Sequence, residues 1–268
     1  MPAMDTETVE RLFRWLLLAL ILAGTFFGIA PFVAPTQFAT AAGFTGIDVF
    51  TYRIAGAATF GYAVGLTAGF RAGWSSLRIP IAATAVFNAA SVAACLATII
   101  AGGAQLVVYV ILVASILFTV ATGYFLARPP VWSNGPSRTA SARNGELAPW
   151  VTGLFAIGSV AAALFGLAAL IGAGAFGRAV GASGADDFIY RQSGAATLGA
   201  AVGGLLVVQS RRWDAARLPA IMAIVFNGLS VIAAALDVGG GRPISYVILG
   251  AAAAVTVGML LALIRGGR

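Results

Sequence analysis

Apolar residues run through this chain in long stretches bounded by glycine, proline, arginine or aspartate, with neither the alternation of a half-buried strand nor the one-sided stripe of a soluble helix. A run of about 17 to 25 apolar residues is what a helix needs to cross a hydrocarbon core roughly 30 Å thick. Eight such helices are predicted, over approximately 15–34, 54–70, 79–101, 106–127, 151–174, 192–209, 218–237 and 244–264. The first run follows Arg11 and Arg14, as the core of a signal peptide would. Its length suits a full span, and a similar run recurs mid-chain at 151–174, so it is assigned to the fold.

The pattern occurs twice. Residues 46–65 (GIDVFTYRIAGAATFGYAVG) return at 184–203 (GADDFIYRQSGAATLGAAVG), pairing Asp48 with Asp186, Tyr52 with Tyr190, Arg53 with Arg191 and Thr59 with Thr197. The echo continues through Trp74 and Trp213, Arg78 and Arg217, Pro80 and Pro219, then VFNAAS (86–91) and VFNGLS (225–230). A repeat at this spacing predicts two copies of one structural unit. The expected fold is an all-α integral membrane protein: eight transmembrane helices in two four-helix repeats, 1–127 and 150–268, with a cytoplasmic linker at 128–149. An even number of spans per copy makes the repeats parallel, related by a pseudo-twofold axis along the membrane normal. Short turns such as GGAQ (102–105) and GGGRP (239–243) favour antiparallel neighbours, hence four-helix up-and-down units; the longest loops, 35–52 and 175–190, lie on the outer side.

Composition agrees. The chain is 60% hydrophobic and 9% charged with a mean hydropathy of +0.96, against about 25% charged residues in soluble domains. No soluble catalytic or nucleic-acid-binding domain fits, although the net charge is +7. The basic residues follow the topology instead. Arg11, Arg14, Arg71, Arg78, Arg128, Arg138, Arg143, Arg211, Arg212, Arg217, Arg265 and Arg268 fall on one side; Arg53, Arg178, Arg191 and Arg242 fall on the other. The positive-inside rule then places both termini in the cytoplasm, in a bacterial cytoplasmic membrane whose all-Arg basic usage reflects coding bias. Absence of Lys and His removes Schiff-base chemistry, imidazole acid–base work and His ligation of metal or haem. The single Cys95, in the third span, excludes internal disulfides and reads as core packing.

Candidate chemistry gathers at repeated positions. DVFTYR and DDFIYR open the second and sixth spans. One reading makes Asp48 and Asp186 helix caps, Tyr52 and Tyr190 interfacial aromatics, and Arg53 and Arg191 snorkelling cations. The other brings Arg53 and Arg191 together across the pseudo-twofold axis as an outward-facing site for an anionic headgroup or solute, held by Asp48, Asp186 and Asp187. Behind the caps, Gly56, Gly61 and Gly65, with Gly194, Gly199 and Gly203, give the small-xxx-small spacing of close helix contacts; if spans two and six meet, the halves join there. Asn88 and Asn227 lie near mid-depth, with Ser91 and Ser230 one turn on, and serve either interhelical hydrogen bonding or a polar cavity wall. Trp74 and Trp213, with Arg71, Arg78, Arg211, Arg212 and Arg217, read as anchors at the cytoplasmic interface.

All nine acidic residues (Asp5, Glu7, Glu10, Asp48, Glu146, Asp186, Asp187, Asp214 and Asp237) fall in loops or near helix ends, which weighs against proton- or sodium-coupled transport. The sequence has no nucleophile elbow, P-loop or metal cluster, and no cofactor is expected.

The pattern FxYRxxGAATxG opening a glycine-rich helix, followed by RxP, a third span, a glycine turn and a fourth, resembles the DoxX-like group of small four-helix bacterial membrane proteins, here as a tandem pair. The resemblance covers each half nearly end to end. It implies the four-helix fold, and a link in some members to quinone-dependent thiosulfate oxidation, for which this chain offers no matching residue set.

Three functions follow as expectations. The first is binding or passive carriage of a small lipophilic or anionic molecule, in a cavity between the halves lined by Asn88, Asn227, Thr59 and Thr197 and gated by Arg53 and Arg191. The second is an accessory or scaffold subunit packing on another membrane protein or on further copies of itself. The third and least favoured is a quinone-linked oxidoreductase component, since titratable groups suited to neutral pH are missing; an enzyme is not the expected class. The expected partners are the bilayer and a lipid, quinone or small anion, with no nucleic acid.

Overall fold

A computed structural model describes residues 5–102, 104–130, 145–182 and 184–267, and these are helical with no strand. The helices are α1 (Thr6–Val33), α2 (Pro35–Ala41), α3 (Val49–Gly69), α4 (Trp74–Ile100), α5 (Leu106–Ala127), α6 (Pro149–Ile171), α7 (Ala173–Ala179), α8 (Asp187–Ser210), α9 (Trp213–Asp237) and α10 (Pro243–Arg265). Their starts carry the residues that helix starts need. Asp5 accepts from the Thr8 amide and Asp48 from the amides of Phe50 and Thr51, while proline opens α2, α6 and α10, where the missing N–H costs nothing. Helices α8 and α10 end in left-handed residues, Arg211 and Gly266.

Seven helices are long and apolar enough to cross a membrane: α1, α4, α5, α6, α8, α9 and α10. The bilayer is therefore the environment of the chain. The second predicted span becomes α3, which is long enough at 21 residues but not apolar enough to join the seven. The reason is visible in its packing. Its Phe50, Tyr52, Gly56, Gly61, Tyr62 and Gly65 are all buried, so α3 is covered by protein more than by lipid and has less need of an apolar exterior. The outer loops expected at 35–52 and 175–190 each contain or adjoin a short helix, α2 and α7. Most of the linker at 128–149, including Trp132, Arg138 and Arg143, lies outside the described residues; its end is tied down where the Leu147 amide donates to Arg211 O at 2.8 Å and Ala148 to Gly267 O at 2.9 Å.

Self-contained four-helix up-and-down units are not what forms. Helix α1 packs along α3, α6 along α8, α4 along α5 and α9 along α10, but α4 lies most extensively against α8 and α9 lies against α3 nearly as much as against α10, while the sequence neighbours α3 and α4 touch little, as do α8 and α9. The glycines explain the exchange. A Cβ on Gly61 would stand 3.0 Å from Met222 O of α9, and one on Gly199 would stand 2.5 Å from Ala83 O of α4. Where two backbones come this close only glycine fits, and in lipid such contact replaces the missing hydrophobic drive. Gly56 and Gly194 serve α1 and α6 in the same way, each lying against the carbonyl of a glycine, Gly28 or Gly166. The halves thus join through α3 on α9 and α8 on α4 as well as through α3 on α8, where the Tyr62 hydroxyl donates to Ala196 O at 2.6 Å.

The Trp74 end of the bundle gathers α1's Phe13, α5's Phe125, Trp213 and Gly267. Trp213 is no interfacial anchor: it is 4% exposed and packs with Val151, Phe155 and Met259. Trp15, near the start of α1, is 63% exposed. Cys95 is buried, as core packing requires.

Candidate functional site

Two cavities between the helices, each partly open to the outside, hold the candidate residues. The larger, about 330 Å³, is walled by α3, α4 and α6–α10, with Thr197, Asn227, Ser230 and Tyr190 among its polar residues and Phe155, Phe226, Val255 and Met259 among its apolar ones. The smaller, about 130 Å³, is walled by α1–α5 and α8, and includes Thr59, Asn88, Ser91 and Tyr52. The single cavity expected to hold all four of Thr59, Thr197, Asn88 and Asn227 is therefore two. Each half keeps its own pair: Thr59 and Asn88 line the smaller cavity, and Thr197 and Asn227 the larger.

The asparagines do not bridge helices. The side-chain amide of Asn88 donates to Thr84 O and that of Asn227 to Ala223 O, both at 2.8 Å and within their own helices. Thr59 and Thr197 likewise donate to Ala55 O and Ser193 O, at 3.0 and 2.7 Å. Helical back-bonding satisfies these donors while the side chains remain on the wall.

At the end of the bundle opposite Trp74, the acidic residues divide among different partners. Buried Asp48 caps α3 and accepts two bonds from one guanidinium nitrogen of Arg242, at 2.9 and 2.8 Å. Burial opposes the charge of Arg242, but the carboxylates of Asp48 and Asp237 more than offset it and hold its pKa above the usual value. Asp186 makes no capping bond with its own helix; it accepts from the Gly46 amide at 3.0 Å, tying the two outer loops together. A Cβ on Gly46 would fall 2.7 Å from the Asp186 amide, so the approach depends on glycine. Asp187 pairs with Arg191 at 3.4 Å, and Arg191 also donates to Thr98 Oγ1 at 3.2 Å. Arg53 is partly buried and makes no hydrogen bond or ion pair among the described residues. The acidic residues thus do not close around Arg53 and Arg191 as a joint anion site, and neither arginine lines either of these two cavities. Tyr52 and Tyr190 are 0% and 3% exposed, so they are core residues and not interfacial aromatics.

The chain matches no protein-family model, no curated protein and no solved structure.

Three participants escape the sequence reading. Arg242, placed in a glycine turn, proves to be the partner of Asp48 from 194 residues away. Gln192 accepts from Ser91 Oγ at 2.9 Å across the helices and lines the smaller cavity. Tyr62 stacks on Phe87 with ring centroids 5.1 Å apart and walls both chambers. The repeat comparison favours positions that agree, whereas Gln192 aligns with Ile54 and Tyr62 with Ala200. Among the described residues no cluster of His, Cys, Asp or Glu has the makings of a metal site.

Proposed function

We propose that this chain binds, or passively carries, a small lipophilic molecule in the larger cavity. The observation that carries the reading is a chamber of about 330 Å³ inside the helices, walled mainly by apolar side chains. Such a volume falls at the lower end of small-molecule sites, roughly 300 to 1,000 Å³. An anionic solute fits less well, because Arg53 and Arg191 line neither chamber and the charge of Arg242 is matched by Asp48 and Asp237.

The same proposal includes the finer architecture. We read α3 as an eighth span, shielded from lipid by its neighbours, and the halves as parallel duplicates of the DoxX-like type. The paired contacts support this: α1 on α3 is answered by α6 on α8, α4 on α5 by α9 on α10, and α4 on α8 by α9 on α3. Gathering of Phe13, Trp213 and Gly267 toward the arginine-rich end supports cytoplasmic termini in a bacterial inner membrane.

Purification in a mild detergent followed by native mass spectrometry tests the binding function. A bound lipophile that is recovered by solvent extraction is expected. Protein that carries none, and that takes up none from a mixture of small lipophiles, would contradict it.

A further inference from the structure

Polar groups on the wall of the larger cavity differ in one respect. Thr197, Asn227 and Ser230 donate to carbonyls of their own helices. Tyr190 does not: its hydroxyl is fully buried and, among the described residues, meets no partner in hydrogen-bond geometry, although Thr51 and the backbone of Gly184 and Ala185 stand close enough to act on it. Its counterpart Tyr52 donates to Gly46 O at 3.3 Å. The Tyr190 ring rests against α7 where Gly177 leaves room for it, since a Cβ at 177 would fall 2.8 Å from its Cζ. The aligned residue in the first half is Ala39. A buried donor without an acceptor is costly. This one lines a chamber large enough to admit a molecule that supplies the acceptor.

Surroundings fix the chemistry of that molecule. Thr51 is the polar neighbour of the phenol on the cavity wall, and the Asp48–Arg242 pair stands close enough to act on it electrostatically. Arg242 is shared between two carboxylates, Asp48 and Asp237, so the polar end of the chamber offers no free cation. Elsewhere the wall presents Leu154, Val255 and Met259. We infer that the occupant is an uncharged lipophile with one hydrogen-bond acceptor, a carbonyl or ether oxygen, placed against Tyr190, and an apolar body lying along the aliphatic wall. This rests on the reading of the cavity as a binding site.

The test compares two probes of one shape, 2-acetylnaphthalene and 2-isopropenylnaphthalene, which differ in having C=O or C=CH₂. Binding to the full chain in detergent is measured against empty micelles. The wild type is expected to prefer the ketone, and Tyr190→Phe to lower ketone affinity roughly 3- to 10-fold while leaving the hydrocarbon unchanged. Gly177→Ala, which displaces the ring and keeps the hydroxyl, should also weaken the ketone selectively. Hydrocarbon binding with no ketone preference, or a preference that survives in Tyr190→Phe, overturns the polar-end assignment and leaves the cavity reading standing. Loss of both probes in Tyr190→Phe at unchanged thermal stability overturns it too. Failure of both probes to bind wild type defeats the cavity reading itself.

Discussion

The two chambers are built from aligned positions and differ in size by more than a factor of two, about 330 against 130 Å³. Phe38 and Phe176, Tyr52 and Tyr190, Thr59 and Thr197, and Asn88 and Asn227 occupy equivalent places on the two walls. The smaller chamber has Leu20 and Thr84 where the larger has Gly158 and Ala223; Tyr62 walls both, and its aligned position in the larger is Ala200. It also has Gln192, bonded to Ser91 and 3.7 Å from Cys95 Sγ, where the larger has Ile54. One chamber is partly filled and internally bonded; the other is open, apolar and left with an unpartnered phenol. Aligned residues recur on the two walls, and the residues that differ accompany the difference in volume.

Several substitutions probe that contrast, with thermal unfolding of detergent-purified protein as the measure. The largest loss is expected where backbones touch. Gly61→Leu and Gly199→Leu should each cost about 3 kcal/mol or more, because neither Met222 O nor Ala83 O can yield to a side chain. A stable double variant would remove the glycine account of how the halves join. Next comes the ion pair at the outer loops. Arg242→Ala strands the Asp48 carboxylate, whose side chain is 2% exposed, and should cost about 2 kcal/mol, less than a fully buried pair because Arg242 remains one-third open. Asp187→Ala breaks a half-exposed pair at 3.4 Å and should cost about 0.5 kcal/mol or less. Equal losses in these two variants would show that the Asp48 bridge has no special standing. The tyrosines give the finest discrimination. Tyr52→Phe forfeits a hydrogen bond and should cost about 1 kcal/mol, whereas Tyr190→Phe forfeits none and should leave the melting temperature unchanged or raised.

Much of this architecture is legible in the sequence because lipid imposes it. Apolar runs reveal the long helices, and Asp48 and Pro149 mark helix starts through local chemistry. Three features are not legible, each for a physical reason. Asp48 finds Arg242 across the fold, a pairing that i,i+4 spacing cannot reveal, while the pairing of Asp187 with Arg191 follows that spacing and is observed. Trp213 sits beside exposed arginines yet turns inward onto Val151, since position along a helix does not tell which face it presents. The crossing of α4 and α9 into opposite halves lies beyond local pattern altogether, because short turns constrain the ends of neighbouring helices and not the faces along which they pack.

The central claim, that the larger chamber holds a lipophilic guest, is tested most directly by giving position 200 the residue found at position 62. Ala200→Tyr places an aromatic ring in the wall of the larger cavity, as Tyr62 does in the smaller. Native mass spectrometry of the two proteins, purified side by side, should show the bound lipophile on wild type and at least tenfold less on the variant at equal thermal stability. Equal occupancy in both would contradict the account.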